Sequence, residues 1–158
     1  MAKRRFNKKE RSEFDQKLLE LARVTRVVKG GRRFRFRAVV IAGNRNGKIG
    51  VGIAKGADVS EAVRKSFNDA KKNMVQIKRY NNTISCDAEA KFGSAKVMLK
   101  PARPGRGIVA GGAVRAVVEL SGIRDIVSKS LGSANKLSLA RATVKALEDV
   151  KVLSGKEK

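Results

Sequence analysis

The residues best suited to chemistry in this chain are cations beside a pair of glycines, in the segment Lys29-Gly30-Gly31-Arg32. Glycine allows a backbone to approach a ligand closely, and flanking lysine and arginine side chains bind phosphate oxygens. Arg33, Arg35 and Arg37 follow at alternate positions, so on a β-strand they share one face. The pattern indicates binding to a phosphate-rich polymer. An ordinary solvated hairpin loop is the alternative interpretation of the glycine pair.

The net charge favours the same class of partner. The chain has 158 residues and a formal charge of +23, from 37 Lys and Arg against 14 Asp and Glu. Such a charge repels itself in a compact fold, and neutralising phosphates releases counterions, so nucleic acid is the expected partner. A membrane surface is disfavoured because Trp is absent and Phe is scattered. Generic solubility is the remaining alternative.

Residues that support catalysis are scarce. There is no His and a single cysteine, Cys86, so the commonest general base, an internal disulfide and a cysteine zinc cluster are all missing. We interpret Cys86 as a half-buried structural thiol. Gly43 to Lys48 resembles a phosphate-binding P-loop, but it is one residue short and Ile49 replaces the required Ser or Thr. We therefore expect a binding protein that is not an enzyme and uses no metal or cofactor.

The location follows from two absences in the sequence. No apolar run approaches the roughly 20 residues of a membrane span. The sequence starts with cations instead of a secretory signal. We expect a cytoplasmic protein with no membrane partner.

The elements that hold the glycine segment are predicted from periodicity. Apolar spacing over residues 13–22 predicts a short amphipathic helix or turn. Residues 23–28 and 33–42 predict two strands, and Asn46-Gly47 predicts a type I′ hairpin turn to a third strand. The face carrying Phe34 and Phe36 is expected to enter the core, with stacking on bases as the lesser alternative. Gly50 and Gly52 are expected to leave a smooth patch of backbone.

The rest of the chain predicts one more helix and then a second module. Asp58 starts a helix that runs to about residue 74, which gives the order βββα of a double-stranded-RNA-binding fold. Beyond Tyr80 we predict strands at 83–92 and 95–100, a helix at 113–120 ended by Gly122, a strand at 123–131, and a helix capped by Asn135. The glycine–arginine segment before the 113–120 helix is either an anion site or a close-packed connector.

Four segments in order resemble the bacterial-type small-subunit ribosomal protein five family. They are residues 27–32, the glycines of 43–52, Lys71-Lys72-Asn73-Met74, and Gly107 to Val117; Gly132 to Asn135 with Arg141-Ala142-Thr143 fits the family's last helix. The resemblance covers roughly residues 13–150. It implies an α+β fold of two small domains, a double-stranded-RNA-binding-like βββα module at 13–80 and a βαβα module at 81–150 with a left-handed crossover. A basic tail at 1–12 and a charged tail at 151–158 flank them.

The resemblance also implies a function. The chain is expected to be a structural constituent of the small ribosomal subunit that binds rRNA beside the proteins S-four and S-eight. It is expected to support assembly, decoding accuracy and the region where mRNA enters. The candidate rRNA-binding residues are Thr25, Arg26, Lys29, Gly30, Gly31, Arg32, Arg33, Arg35, Arg37, Gly50 and Gly52. A second group, expected to contact S-four or RNA, is Arg103, Arg106, Gly107 and Arg115.

Two rival functional classes remain. One is the protein part of a tRNA-processing ribonucleoprotein, which shares the second module's topology but leaves the first module unexplained. The other is a free RNA chaperone, which would anneal unrelated RNAs outside ribosomes. Co-sedimentation with the small subunit distinguishes these alternatives from a ribosomal protein.

Overall fold

The first half of the chain forms a four-stranded antiparallel sheet with one helix. The computed structural model describes residues 13–150, so both predicted tails lie outside the described residues. The sheet has the order β1-β2-β3-β4. Its strands are β1 (Asp15–Val28), β2 (Gly31–Gly43), β3 (Lys48–Gly56) and β4 (Met74–Gln76), and helix α1 (Val59–Lys72) connects the last two.

The prediction of a helix or turn at 13–22 is wrong, because this segment is the first half of β1. It pairs with β2 over the full length of the strand, from Asp15 opposite Gly43 to Val28 opposite Gly31. Leu18 and Leu21 supplied the helical spacing, yet they remain 47% and 42% exposed, so they mark no buried helix face. The ladder of backbone hydrogen bonds to β2, which is interrupted by one register shift between Leu18 and Glu20, decides the structure here.

Helix α1 packs against the face of β3 on which Gly50 and Gly52 contribute no side chains. A Cβ atom on Gly50 would lie 2.1 Å from the carbonyl oxygen of Ala70, and one on Gly52 would lie 2.1 Å from that of Ser66. Ser66 is itself buried and its hydroxyl donates to the carbonyl of Ala38 on β2, at 2.9 Å. The glycines therefore allow a close helix–sheet contact.

The second half forms another four-stranded sheet with two helices. Its strands are β5 (Ala88–Phe92), β6 (Ala95–Pro101), β7 (Ile108–Val109) and β8 (Ile126–Gly132), arranged in the order β5-β6-β8-β7. Helix α2 (Gly112–Ser121) joins β7 to β8, which pair in parallel, and α3 (Lys136–Glu148) follows. The fold is thus the predicted α+β pair of modules; the left-handed crossover stays a prediction.

The sequence predicted most of these elements but missed two strands. β4 and β7 have three and two residues, too few to show a period. Residues 83–87 and 123–125 were expected to be strands and are not. The predicted helix signals at the second module are confirmed, since Gly122 adopts φ 83° at the end of α2 and Asn135 Oδ1 accepts from Leu137 N at 3.1 Å.

The two sheets share one hydrophobic core, as expected. Val39 and Ile41 of β2 and Ile49 of β3 are fully buried together with Val117 of α2 and Leu147 of α3. The face of the first sheet opposite α1 is therefore covered by the second module. Residues 38–43 of β2 and 49–52 of β3 are buried from both sides.

The turn between β2 and β3 also joins the two modules. Arg45 N donates to Leu120 O at 3.0 Å and Gly47 N donates to Ser121 O at 3.1 Å, so the turn caps the C-terminal end of α2. The predicted type I′ turn is wrong, because the positive φ angles fall at Arg45 (55°) and Gly47 (93°) and the loop spans residues 44–47.

The close packing of α1 predicts a sharp difference between two glycines. Gly52→Ala should lower the free energy of unfolding by about 3 kcal/mol, because the new methyl group meets backbone atoms that cannot move aside. Gly112→Ala, at an open position in α2 with nothing within 4 Å, should leave stability unchanged or raise it by about 0.5 kcal/mol. Urea unfolding measures both, and equal effects would contradict the packing described.

The start of α1 predicts a dependence on pH. Glu61 Oε1 accepts from Lys65 Nζ at 2.6 Å and its Oε2 accepts from Ala57 N at 2.8 Å. These bonds, the one from Lys65 first, lower the pKa of Glu61. A carboxyl group with a lowered folded pKa stabilises the fold above its unfolded pKa, and this contribution is lost as the pH falls through the folded value.

Glu61→Gln should therefore be less stable than the wild type at neutral pH. The gap should close as the pH falls below the unfolded value of roughly 4.3 and through the lowered folded pKa. Urea midpoints measured over a pH series test this, and a gap independent of pH would refute it.

Candidate nucleic-acid interface

The hairpin of β1 and β2 extends beyond the rest of its sheet. β2 pairs with β3 only from Phe36 onward, where Phe36 lies opposite Gly56. Residues 24–35 therefore form a two-stranded projection, here called the arm, whose strands pair only with each other. Its turn is formed by Lys29 and Gly30, which are both exposed.

One face of the arm carries arginines, as the alternation predicted. Arg26 lies directly opposite Arg33, and Arg35 lies opposite Val24 on the same face. Together with Lys55 of β3 these arginines border a cleft of about 240 Å³. Lys55 was not singled out from the sequence; the register of the second hairpin, which sets it opposite Arg37, is the signal that identifies it.

The charge of this face has no counterpart nearby in the chain. The sequence contains no Asp or Glu from residue 21 to residue 57. Like charges directly opposite each other on paired strands are destabilising, so the pair of Arg26 and Arg33 opposes the hairpin that holds it. A polyanion bound to this face would relieve the repulsion.

The opposite face of the arm is mixed. Thr25 lies opposite Phe34, and Val27 lies opposite Arg32. Phe34 is 46% exposed, and the guanidinium carbon of Arg23 sits 3.7 Å from its ring centroid. The expectation that Phe34 enters the core is wrong, because β3 ends opposite Phe36 and leaves Phe34 on the projecting part of the hairpin.

The two glycines of the turn play different parts. Gly31 has φ 144°, which disfavours any other residue, and nothing lies within 4 Å of a Cβ built on it. Gly30 has equally open surroundings and a φ outside the left-handed region. The turn is thus open to solvent, and Gly30 is free of any local packing requirement.

Three of the predicted rRNA-binding residues do not belong to this surface. Gly50 and Gly52 are buried beneath α1, so the backbone patch expected there is not accessible. Arg37 is half-buried at the base of the arm, where its Nη2 donates to Glu20 Oε1 at 2.9 Å. Its Nε is buried and makes no hydrogen bond within residues 13–150. We withdraw these residues from the candidate interface.

The second predicted group lies in the other module. Arg103 and Arg106 are exposed on the loop after β6, and Arg106 N donates to Arg103 O at 3.2 Å. Gly107 N donates to Asp125 Oδ1 at 2.8 Å, and Arg115 Nη2 donates to Ile108 O at 3.0 Å, so both sides of the loop are fixed. Gly111 and Gly112 have open surroundings, which contradicts the close-packed connector. Anion binding there stays a prediction.

Two further observations concern other classes of site. Among residues 13–150, no group of three His, Cys, Asp or Glu side chains is placed to hold a metal ion. In the same range, no helix has the length and apolar character needed to cross a membrane. Cys86 is half-buried, as predicted.

Comparison with known proteins places this arrangement in a family. Models described as "Ribosomal protein S5, N-terminal domain" and "Ribosomal protein S5, C-terminal domain" match residues 14–78 and 90–154. The chain belongs to the ribosomal protein S5 family. Its members are structural ribosomal proteins and not enzymes, and they act in translation by binding RNA.

Whole-length relatives agree with the two family matches. "Small ribosomal subunit protein uS5" of Campylobacter jejuni subsp. jejuni serotype O:23/36 (strain 81-176) is 51% identical over 146 residues, covering 92% of this chain and 99% of the relative. The protein of the same name from Campylobacter jejuni (strain RM1221) gives the same values. The predicted family is confirmed.

The repulsion within the arm predicts that stability and binding move in opposite directions. Arg33→Thr should raise the free energy of unfolding of the isolated protein by about 0.5 kcal/mol in dilute buffer, because it removes a like-charge pair. The gain should shrink at about 1 M salt, which screens the pair. The same variant should bind rRNA more weakly.

Lys91→Thr is the matched control. Lys91 also lies opposite a cation, Lys96, but Lys96 is paired with Glu89 at 2.7 Å. Its stability gain in urea unfolding should therefore be smaller. A gain equal to that of Arg33→Thr, or none in either variant, would show that uncompensated charge does not strain the arm.

Proposed function

We propose that this chain is a structural constituent of the small ribosomal subunit in the cytoplasm and that the arm binds small-subunit rRNA. The supporting observation is the cationic face of a projecting hairpin, on which Arg26, Arg33 and Arg35 have no carboxylate within the described residues to neutralise them. Family membership supports the assignment to a ribosome, and the name of the relatives supports the small subunit.

In the proposed mechanism, a rigid hairpin holds cationic side chains in position to bind phosphates. The exposed cations bind phosphates of folded rRNA, while Gly30 and Gly31 let the tip of the arm fit closely against it and Thr25 contacts it nearer the base. The ladder of β1 with β2 holds the side chains in register, so the arm loses little conformational freedom on binding. The contacts read the shape and charge of the RNA more than its sequence.

The finer roles follow the resemblance found in the sequence. We place the chain beside the proteins S-four and S-eight, where it supports assembly, decoding accuracy and the region where mRNA enters. The loop carrying Arg103 and Arg106, together with Gly107 and Arg115, forms the surface toward S-four or adjacent RNA. Its exposure and its fixed ends suit it to a specific contact.

Gly30→Val tests the arm without disturbing the fold. Its surroundings are open and its φ is not left-handed, so the isolated protein should keep its melting temperature. The branched side chain should obstruct close approach to rRNA and reduce incorporation into the small subunit severalfold. Sedimentation of a lysate in which the variant is the sole copy measures incorporation.

Ser94→Val is the matched control, because Ser94 occupies the equivalent position of the exposed β5–β6 hairpin turn, after Gly93. It should be incorporated normally. Normal incorporation of Gly30→Val would refute the role of the arm. Wild-type protein found mainly outside ribosomes, annealing unrelated RNAs, would refute the proposed function itself.

A further inference from the structure

A second cationic cleft lies where the two modules meet. It has a volume of about 750 Å³ and opens beside the turn that caps α2. Both modules contribute to its wall, through the turn at 44–47, the segment after β4, helix α2 and the residues before β8. The side chains that matter here are Arg45, Asn46, Arg79, Asn82, Arg115 and Arg124.

Arg79 fixes the geometry of this cleft. Its Nη1 donates to Arg45 O at 3.3 Å and to Gly122 O at 3.2 Å, one carbonyl from each module. Arginine has five N–H donors in a planar fork. Two bonds from one terminal nitrogen therefore leave the remaining donors of Arg79 free for a further acceptor.

The cleft carries more positive charge than its surroundings neutralise. Arg45 is paired with Asp15 at 2.9 Å, and Glu119, the one carboxylate in the wall, is paired with Lys17 at 2.7 Å. Arg79, Arg115 and Arg124 are exposed and form no ion pair with any carboxylate of residues 13–150. Three guanidinium groups thus remain uncompensated around one opening.

Stabilisation of the end of α2 does not account for this charge. A helix C-terminus carries roughly half a negative charge, which a single cation satisfies. Its carbonyls at Leu120 and Ser121 are already bound by the backbone of Arg45 and Gly47. The surplus is therefore available to an anionic ligand.

We propose that this cleft is a second RNA-binding site, in which backbone phosphates of an RNA strand lie against Arg79, Arg115 and Arg124 and cross from one module to the other. Guanidinium groups form bidentate hydrogen bonds with phosphate. The side-chain amides of Asn46 and Asn82 present donors and acceptors for a ribose hydroxyl or a base edge. The proposal rests on the function proposed above, since it assumes an RNA partner, and it adds a contact separate from the arm.

The test is the salt dependence of binding to small-subunit rRNA transcribed in vitro, using the full chain. Arg79→Gln/Arg124→Gln should lower the slope of log K against log salt by about 1.4 to 1.8, the loss expected for two phosphate contacts. Arg124→Gln alone, whose side chain forms no ion pair among residues 13–150, should lower it by about half as much.

Lys91→Gln/Lys129→Gln is the control, since both lysines are exposed on the second sheet and neither forms an ion pair in the described range. It should keep the wild-type slope. If the control and cleft variants show the same salt slope, whether lowered or not, the proposal is overturned. It is also overturned if a cleft variant has a lower melting temperature but binds with the wild-type slope.

Arg33→Gln/Arg35→Gln separates the two hypotheses. If this arm variant lowers the slope and the cleft variants do not, the second site is refuted while the proposed function stands. If the wild type ignores the RNA altogether, both are refuted. Modification of arginines with phenylglyoxal gives an independent readout: bound rRNA should protect Arg124 as well as the arm arginines, and protection of the arm alone would refute the second site.

Discussion

The structure depends on the burial, from both sides, of residues 38–43 of β2 and 49–52 of β3. Glycines at 50 and 52 let α1 lie directly on one face, and Val39, Ile41 and Ile49 bury the other face against the second module. A sheet held in this way cannot twist or slide without opening a core. The projecting hairpin therefore extends from a closely packed part of the molecule, which fixes the position of its backbone.

Charge compensation differs between the packed parts of the molecule and its exposed surfaces. The carboxylates of the described chain neutralise cations along the base of the first hairpin, the start of α1 and the second sheet, as in the pairs of Glu20 with Arg37 and Glu89 with Lys96. None is placed along the arm, and Glu119 alone lines the cleft between the modules. The fold thus compensates charge where it packs and leaves charge uncompensated on the surfaces that we assign to RNA.

Sequence patterns predicted the parts of the fold whose signals are local. The alternation of Arg33 and Arg35, the cap at Asn135 and the left-handed Gly122 each follow from a residue and its immediate neighbours. Family segments supplied the pairing of the modules, which no local pattern contains. The candidate site at the arm was predictable from the sequence, because residues that are neighbours in sequence are also neighbours in space along one hairpin.

The predictions that failed have a common physical cause, since each of these features depends on residues far away in the sequence. The spacing of Leu18 and Leu21 predicted a helix, because periodicity within a segment does not show that a later strand, β2, pairs with it. Gly50 and Gly52 suggested an open patch because nothing in their spacing shows that α1 folds back over them. Arg79 and Arg124 escaped notice because 44 intervening residues separate them, and only the docking of α2 brings both to one cleft.

The cap that the 44–47 turn places on α2 has a consequence for how the molecule can be divided. The carbonyls of Leu120 and Ser121 find their donors in the other half of the chain, and the apolar face of the first sheet finds its cover there as well. Cleaving the chain near Tyr80 would leave the carbonyls at the C-terminal end of α2 without their donors in the C-terminal fragment. It would also expose the apolar face of the first sheet in the N-terminal fragment. The segments matched by the two family models thus share one hydrophobic core, and each half depends on the other to cover its apolar surface or cap its helix.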